Sequence, residues 1–212
     1  DGNGNVVVLG DRDCSLQRRN QKLVEECPAP NLPPEIRASM HEHARLLLGS
    51  VRYASAGTIE FLYDDDADEY YFLEVNTRLQ VEHGVTELVY GVDIVEWMLR
   101  LAVGGLPDIE VLQEQIAPSG CAIQVRLYAE DPYENFKPTP GSVRINFPDQ
   151  GRIDTWISAT SAVSHWYDPL LANVMAHGLS RDETVTRLID VLDETQTYGA
   201  ATNLALLRQA ID

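Results

Sequence analysis

The sequence predicts an α+β protein, because two hydrophobic periods occupy separate stretches of the chain and one strand carries an unusually well-equipped polar face. The helical period runs through 34–50, 92–103 and two stretches near the C-terminus; the period of two runs through 58–75 and recurs from 121 to 157. The polar face belongs to Tyr71–His83, YFLEVNTRLQVEH. Counted by twos, Glu74, Asn76, Arg78, Gln80 and Glu82 alternate with Val75, Thr77, Leu79 and Val81, the pattern of an extended chain with one face in the core. Carboxylates, amides and a guanidinium in so short a run can hold a metal ion and an oxyanion together.

Taken in order, Val6 to Leu9 reads as a short buried strand and Arg12 to Lys22 as a basic, polar extended segment. Pro34 to Ser50 is a helix: Pro33 and Pro34 suit its first turn, Gly49 its end, and Ile36, Met40, Leu47 and Val51 recur at helical spacing. His41 and His43, two apart, face different sides and read as surface residues. TIEFLY (Thr58–Tyr63) and YYFLEV (Tyr70–Val75) are strands joined by the acidic loop DDDADE. Folding about the middle of that loop sets Glu60 opposite, or nearly opposite, Glu74. Two like charges across a ladder are destabilising when bare, and a divalent cation removes the conflict. The alternative is that one glutamate faces solvent and the other closes a strand.

Val92 to Val103 is a helix with Ile94, Val95, Met98, Leu99 and Ala102 inward, stopped by Gly104 and Gly105. Leu106 to Ser119 has two prolines and weak periodicity, which marks an internal boundary between domains 1–115 and 116–212. Beyond it come strands at Cys121 to Tyr128, Val143 to Phe147, Arg152 to Ile157 and Val174 to His177. Ser180 and Glu183 form a capping box for a helix with Val185, Leu188, Ile189 and Leu192 on one face, and Thr202 can cap a final helix carrying Leu204, Leu207 and Ile211. Arg126 leaves its strand opposite Val125 and Leu127; as a strand arginine it would pair with a nearby carboxylate such as Glu130.

The chain has 212 residues, 44% hydrophobic and 23% charged, as soluble globular proteins have. A net charge of −17 argues against nucleic acid and anionic membranes as partners. Cys14, Cys27 and Cys121 are an odd number without metal-ligand spacing and read as reduced cytoplasmic thiols. The opening DGNGNVVVLGDRD reads as a hairpin turn with no earlier strand to return from, as in a fragment.

Glu60 with EVNTRLQVEH, RDCSLQRRNQK at Arg12–Lys22, RLYAED at Arg126–Asp131 and YDPLLA at Tyr167–Ala172 together resemble the biotin carboxylase family. The resemblance implies the C-terminal half of an ATP-grasp fold followed by the biotin carboxylase C-terminal antiparallel sheet with helices. It implies a ligase that uses ATP and bicarbonate to carboxylate biotin on a carrier domain, with N-terminal and lid parts of the same carboxylase as partners. It also implies the site. Mg2+ or Mn2+ falls to Glu60, Glu74 and Asn76, and ATP to Gln17, Asn20, Leu62, Glu60 and Glu74. Bicarbonate falls to Lys22, Arg78, Gln80 and Val81, and catalysis to Glu82 as base, Arg78, and Arg126 beside biotin. Asn20 stands where most members have His, and Gly84 where Pro is usual; both resemble the urea carboxylase branch. Asn173 stands where Lys usually follows YDPLLA. A carbamoyl-phosphate synthetase half, another ATP-grasp ligase, shares the metal carboxylates but should lack the Arg126 segment. A folded module without turnover is the other alternative.

Overall fold

The computed structural model describes residues 1–211. Three short strands come first: β1 (Gln17–Arg18), β2 (Gln21–Lys22) and β3 (Val24–Cys27). Helix α1 (Pro34–Ser50) precedes β4 (Thr58–Asp64) and β5 (Glu69–Asn76), then α2 (His83–Tyr90), α3 (Ile94–Ala102) and α4 (Ile109–Gln115). Next are β6 (Cys121–Tyr128), β7 (Glu130–Asp131), β8 (Lys137–Pro138), β9 (Gly141–Asn146), β10 (Arg152–Thr155), β11 (Ser161–Val163) and β12 (Leu170–Gly178). Helix α5 (Arg181–Glu194), β13 (Gln196–Gly199) and α6 (Leu204–Ile211) close the chain. The elements form two compact units, one of residues 1–13 and 27–119, the other of residues 14–26 and 120–212.

In the first unit, α1 has the predicted bounds but buries no side chain, and Leu47 and Val51 are exposed. Several of its contacts are polar. Arg37 donates to Asp11 at 2.7 Å and to the Ala29 carbonyl, and His41 Nε2 lies 3.1 Å from Asp11. The Tyr70 hydroxyl meets Ser39 at 2.6 Å and His43 at 2.7 Å. Both histidines, expected as plain surface residues, are therefore hydrogen-bonded. Burial alone would raise the Asp11 carboxyl, but His41, the Ala29 N–H and Arg37 hold it below its ordinary value.

The strand expected at Val6–Leu9 does not form; the Val8 N–H donates instead to the Gln113 side chain at 2.8 Å. Helix α3 is capped by Asp93, which accepts from the Glu96 N–H, yet it too buries no side chain, and Leu99 is 65% exposed. Besides Cys27, the buried apolar side chains of this unit come from α2 and α4: Val85 and Val89, Ile109 and Leu112. Helix α4 lies in the stretch read as weakly periodic; its two buried residues are one turn apart and Asp108 caps it.

The second unit has a closed core. Strands β10, β12, β6 and β3 form one sheet in that order, and β11, β9 and β13 another. Val125, Leu127, Val174, Leu188, Val191 and Leu207 pack together, fully or almost fully buried. The Ser180 hydroxyl accepts from the Glu183 N–H at 3.2 Å, and the Glu183 carboxylate accepts from Leu179 N–H at 2.9 Å, so the predicted cap on α5 is present. The basic segment expected to be extended turns sharply: β1 and β2 are a hairpin whose turn residues Arg19 and Asn20 have φ of 49° and 66°. That pair of left-handed residues is what a two-residue hairpin loop requires.

Candidate active site

The hairpin β4–β5 puts Glu60 directly opposite Glu74, and it does so through an irregularity. From Asp64↔Glu69 to Phe61↔Phe72 the ladder is regular, and in that register Glu60 would face Leu73. One extra residue, Leu73, shifts the frame so that Glu60 faces Glu74, Ile59 faces Val75 and Thr58 faces Asn76. A bulge of this kind re-aims side chains by changing which residues share a face.

The carboxylates converge on Asn76, whose Nδ2 donates to Glu60 at 3.1 Å and to Glu74 at 2.9 Å. Arg78 donates to the Asn76 oxygen at 3.2 Å, and the Gln80 amide nitrogen to Glu60 at 2.7 Å. Behind them Arg12 donates to Gln80 Oε1 at 2.8 Å, Thr86 at 2.8 Å and Thr58 at 3.1 Å. Arg12 thereby fixes the amide of Gln80 with its NH2 toward Glu60, a role the sequence reading did not assign to it. Two carboxylates and an amide oxygen suit a divalent cation that takes its remaining ligands from phosphates and water. Among the described residues no cluster of three or more His, Cys, Asp or Glu could hold a metal by itself, so such a cation would depend on that shared coordination.

The alternation read through Glu82 stops as structure at Asn76. The chain then turns, and α2 starts at His83, where no helix was expected. Beyond Asn76 the faces are therefore not those of a strand: Gln80 and Glu82 are buried, whereas Thr77 and Val81, expected inward, are exposed. Leu62, across from Tyr71 on the hairpin, is also exposed.

In the second unit the β1–β2 hairpin pairs Gln17 with Lys22 and holds Asn20 in its turn; the Gln17 amide donates to the Cys14 carbonyl at 2.8 Å. Arg126 lies opposite Val125 and Leu127 as read, but Glu130 is not its partner. Glu130 takes Arg18 at 2.6 Å, while Arg126 donates to Glu25 through Nε at 2.6 Å. Burial raises the Glu130 carboxyl despite Arg18, and likewise raises the Tyr128 phenol, which is hydrogen-bonded to Arg126 and Gln21. Asn173 sits across the ladder from Arg126, and its Oδ1 is buried without a partner among the described residues. Glu25 was missed; its only signal was an acid inside the apolar run LVEEC.

Residues 1–108 match the carbamoyl-phosphate synthase L chain ATP binding domain, and residues 124–212 the biotin carboxylase C-terminal domain. An ATP-binding domain joined to this partner is the arrangement of biotin carboxylases, and the chain belongs to that family. Urea amidolyase of Saccharomyces cerevisiae is 49% identical over 212 residues, which are 100% of this chain and 11% of that protein. The crystal structure of Kluyveromyces lactis urea carboxylase superposes with a TM-score of 0.96 at 48% identity, over 100% of this chain and 19% of that one. The biotin carboxylase domain of Hydrogenobacter thermophilus 2-oxoglutarate carboxylase, solved with MgADP, ADP and bicarbonate, gives a TM-score of 0.92 at 38% identity, over 100% and 47%. The chain thus spans a small part of the relatives' length. No helix among its described residues is long and apolar enough to cross a membrane.

Proposed function

We propose that the chain forms part of the biotin carboxylase component of a cytoplasmic urea carboxylase or urea amidolyase, in which ATP and bicarbonate carboxylate biotin on a carrier domain. The observation that carries the reading is the opposition of Glu60 and Glu74 across the bulge, with Asn76 shared between them. In this reading domains 1–115 and 116–212 are the end of the ATP-grasp domain and the biotin carboxylase C-terminal domain.

Mg2+, or Mn2+ in its place, supplies charge neutralisation at the ATP phosphates when bound. Glu60, Glu74 and Asn76 are the residues that would hold it, and Gln80, fixed by Arg12, keeps Glu60 in place. Arg78 presents a planar fork to bicarbonate, aided by Gln80 and Val81, and Glu82 accepts the bicarbonate proton. On the second unit Lys22 is assigned to bicarbonate, Gln17 and Asn20 to the nucleotide, and Arg126 to the biotin ring. Leu62 is assigned to the nucleotide on the first.

The test is Glu74→Gln in the full-length enzyme. Bicarbonate-dependent ATP cleavage should fall about a hundredfold or more, the scale of losing an electrostatic group at a phosphoryl-transfer site. The metal concentration needed for half-maximal rate should rise as well. Wild-type metal dependence in that variant would refute the assignment.

A further inference from the structure

We infer that Glu25 is a positioning residue for Arg126, holding its guanidinium in one orientation. The inference rests on the reading above, which puts Arg126 at biotin. Glu25 has no exposed surface, and the Arg126 side chain is 11% exposed. One carboxylate oxygen of Glu25 receives Arg126 Nε at 2.6 Å and Nη2 at 2.5 Å; the other receives the Gln124 amide nitrogen at 3.1 Å. Gln124 is itself fully buried, and its Oε1 has no partner among the described residues. Its amide is turned toward Glu25 while its own carbonyl goes unsatisfied. The Tyr128 hydroxyl also bonds to the Arg126 side chain.

As a stability device this arrangement is poor. Burying a carboxylate and a guanidinium costs several kcal/mol in desolvation, and well-packed apolar residues in their place are often as stable or more so. An unsatisfied buried carbonyl adds a further cost. What the arrangement does provide is a fixed direction for an arginine, whose side chain otherwise has many rotamers. Orientation established in the fold does not have to be established again at each turnover.

Glu25 also neutralises much of the Arg126 charge, and this gives the inference a definite sign. If the net positive charge of Arg126 is what stabilises an anionic biotin ring, Glu25→Gln raises that charge and should speed biotin carboxylation. If directed N–H groups are what matter, Glu25→Gln releases the guanidinium and slows it.

In the full-length enzyme, labelled bicarbonate incorporated into biotin is measured beside ADP release without biotin turnover. Glu25→Gln is expected to lower incorporation about ten- to a hundredfold and ADP release by a much smaller factor, and Gln124→Met, which leaves the ion pair in place, to lower incorporation about threefold to tenfold with a normal melting temperature. The Gln124 variant keeps the test decisive should Glu25→Gln fail to fold. Arg126→Lys, which keeps the charge and loses the fork, tests the underlying reading. A selective loss in Arg126→Lys with normal or faster incorporation in Glu25→Gln and Gln124→Met would overturn the positioning role and leave the reading standing. Equal losses of both activities in step with melting temperature across all three variants would make the cluster structural and overturn the inference. An Arg126→Lys enzyme with both activities intact would overturn the reading and the inference together.

Discussion

The two units use the same kind of sequence to different effect. In the second, the apolar stripes of α5 and α6 meet the sheet, and Leu188 on α5 and Leu207 on α6 disappear completely from solvent. In the first, α1 and α3 also carry apolar stripes, yet neither has a fully buried residue. α1 is tied down by polar contacts around Asp11 and Tyr70. An amphipathic pattern specifies which face of a helix is apolar; it does not specify what covers that face. A buried stripe and an open one can therefore read identically in sequence.

Unfolding measurements on the chain should separate the units sharply. Leu188→Ala removes a fully buried side chain and is expected to cost about 3–5 kcal/mol, with urea denaturation as the measure. Asp11→Ala removes the shared acceptor of Arg37, His41 and the Ala29 N–H, and should cost about 2 kcal/mol. Asp11 adds a pH signature. Its folded value lies below the ordinary carboxylate value, so its stabilisation is complete above about pH 4 and is lost as pH falls through the folded value. Asp11→Asn should flatten that acid limb in a stability profile.

Ser180→Ala, which removes the hydroxyl capping α5, should cost about 1 kcal/mol in thermal melts. The smallest effect belongs to the open stripe: Leu99→Ala in α3 should change stability by less than about 0.5 kcal/mol. A large loss at Leu99, or a small one at Leu188, would end the contrast between the units.

Much of the fold was legible because caps, turns and β-branched runs act locally. The bounds of α1 and β6 and the cap on α5 followed from such signals. Helix α2 did not, because Val81 and Glu82 continue an alternation that began in β5, and nothing in the residues from Thr77 onward marks the end of the strand. The carboxylate pair was legible as two glutamates flanking an acidic loop, but the bulge that aligns them was not. A one-residue shift leaves no trace in composition. The partner of Arg126 was misread for a different reason. Glu130 is near in sequence, whereas Glu25 lies 101 residues away and arrives only when β3 takes its place at the edge of the sheet. Pairings between distant strands are set by topology, which a single sequence displays poorly.

The bulge at Leu73 divides the hairpin into two reading frames. The aromatic end, with Phe61 stacked edge-on against Tyr70 and Phe72, follows one parity, and the carboxylate end follows the other. Deleting Leu73 removes the bulge and merges the frames into one regular ladder, with Phe61 still facing Phe72 and Glu60 still facing Glu74. The acids therefore depend on Leu73 staying out of the ladder: pairing it in frame would set it against Glu60 and turn Glu74 to the other side of the sheet, without removing a single ligand.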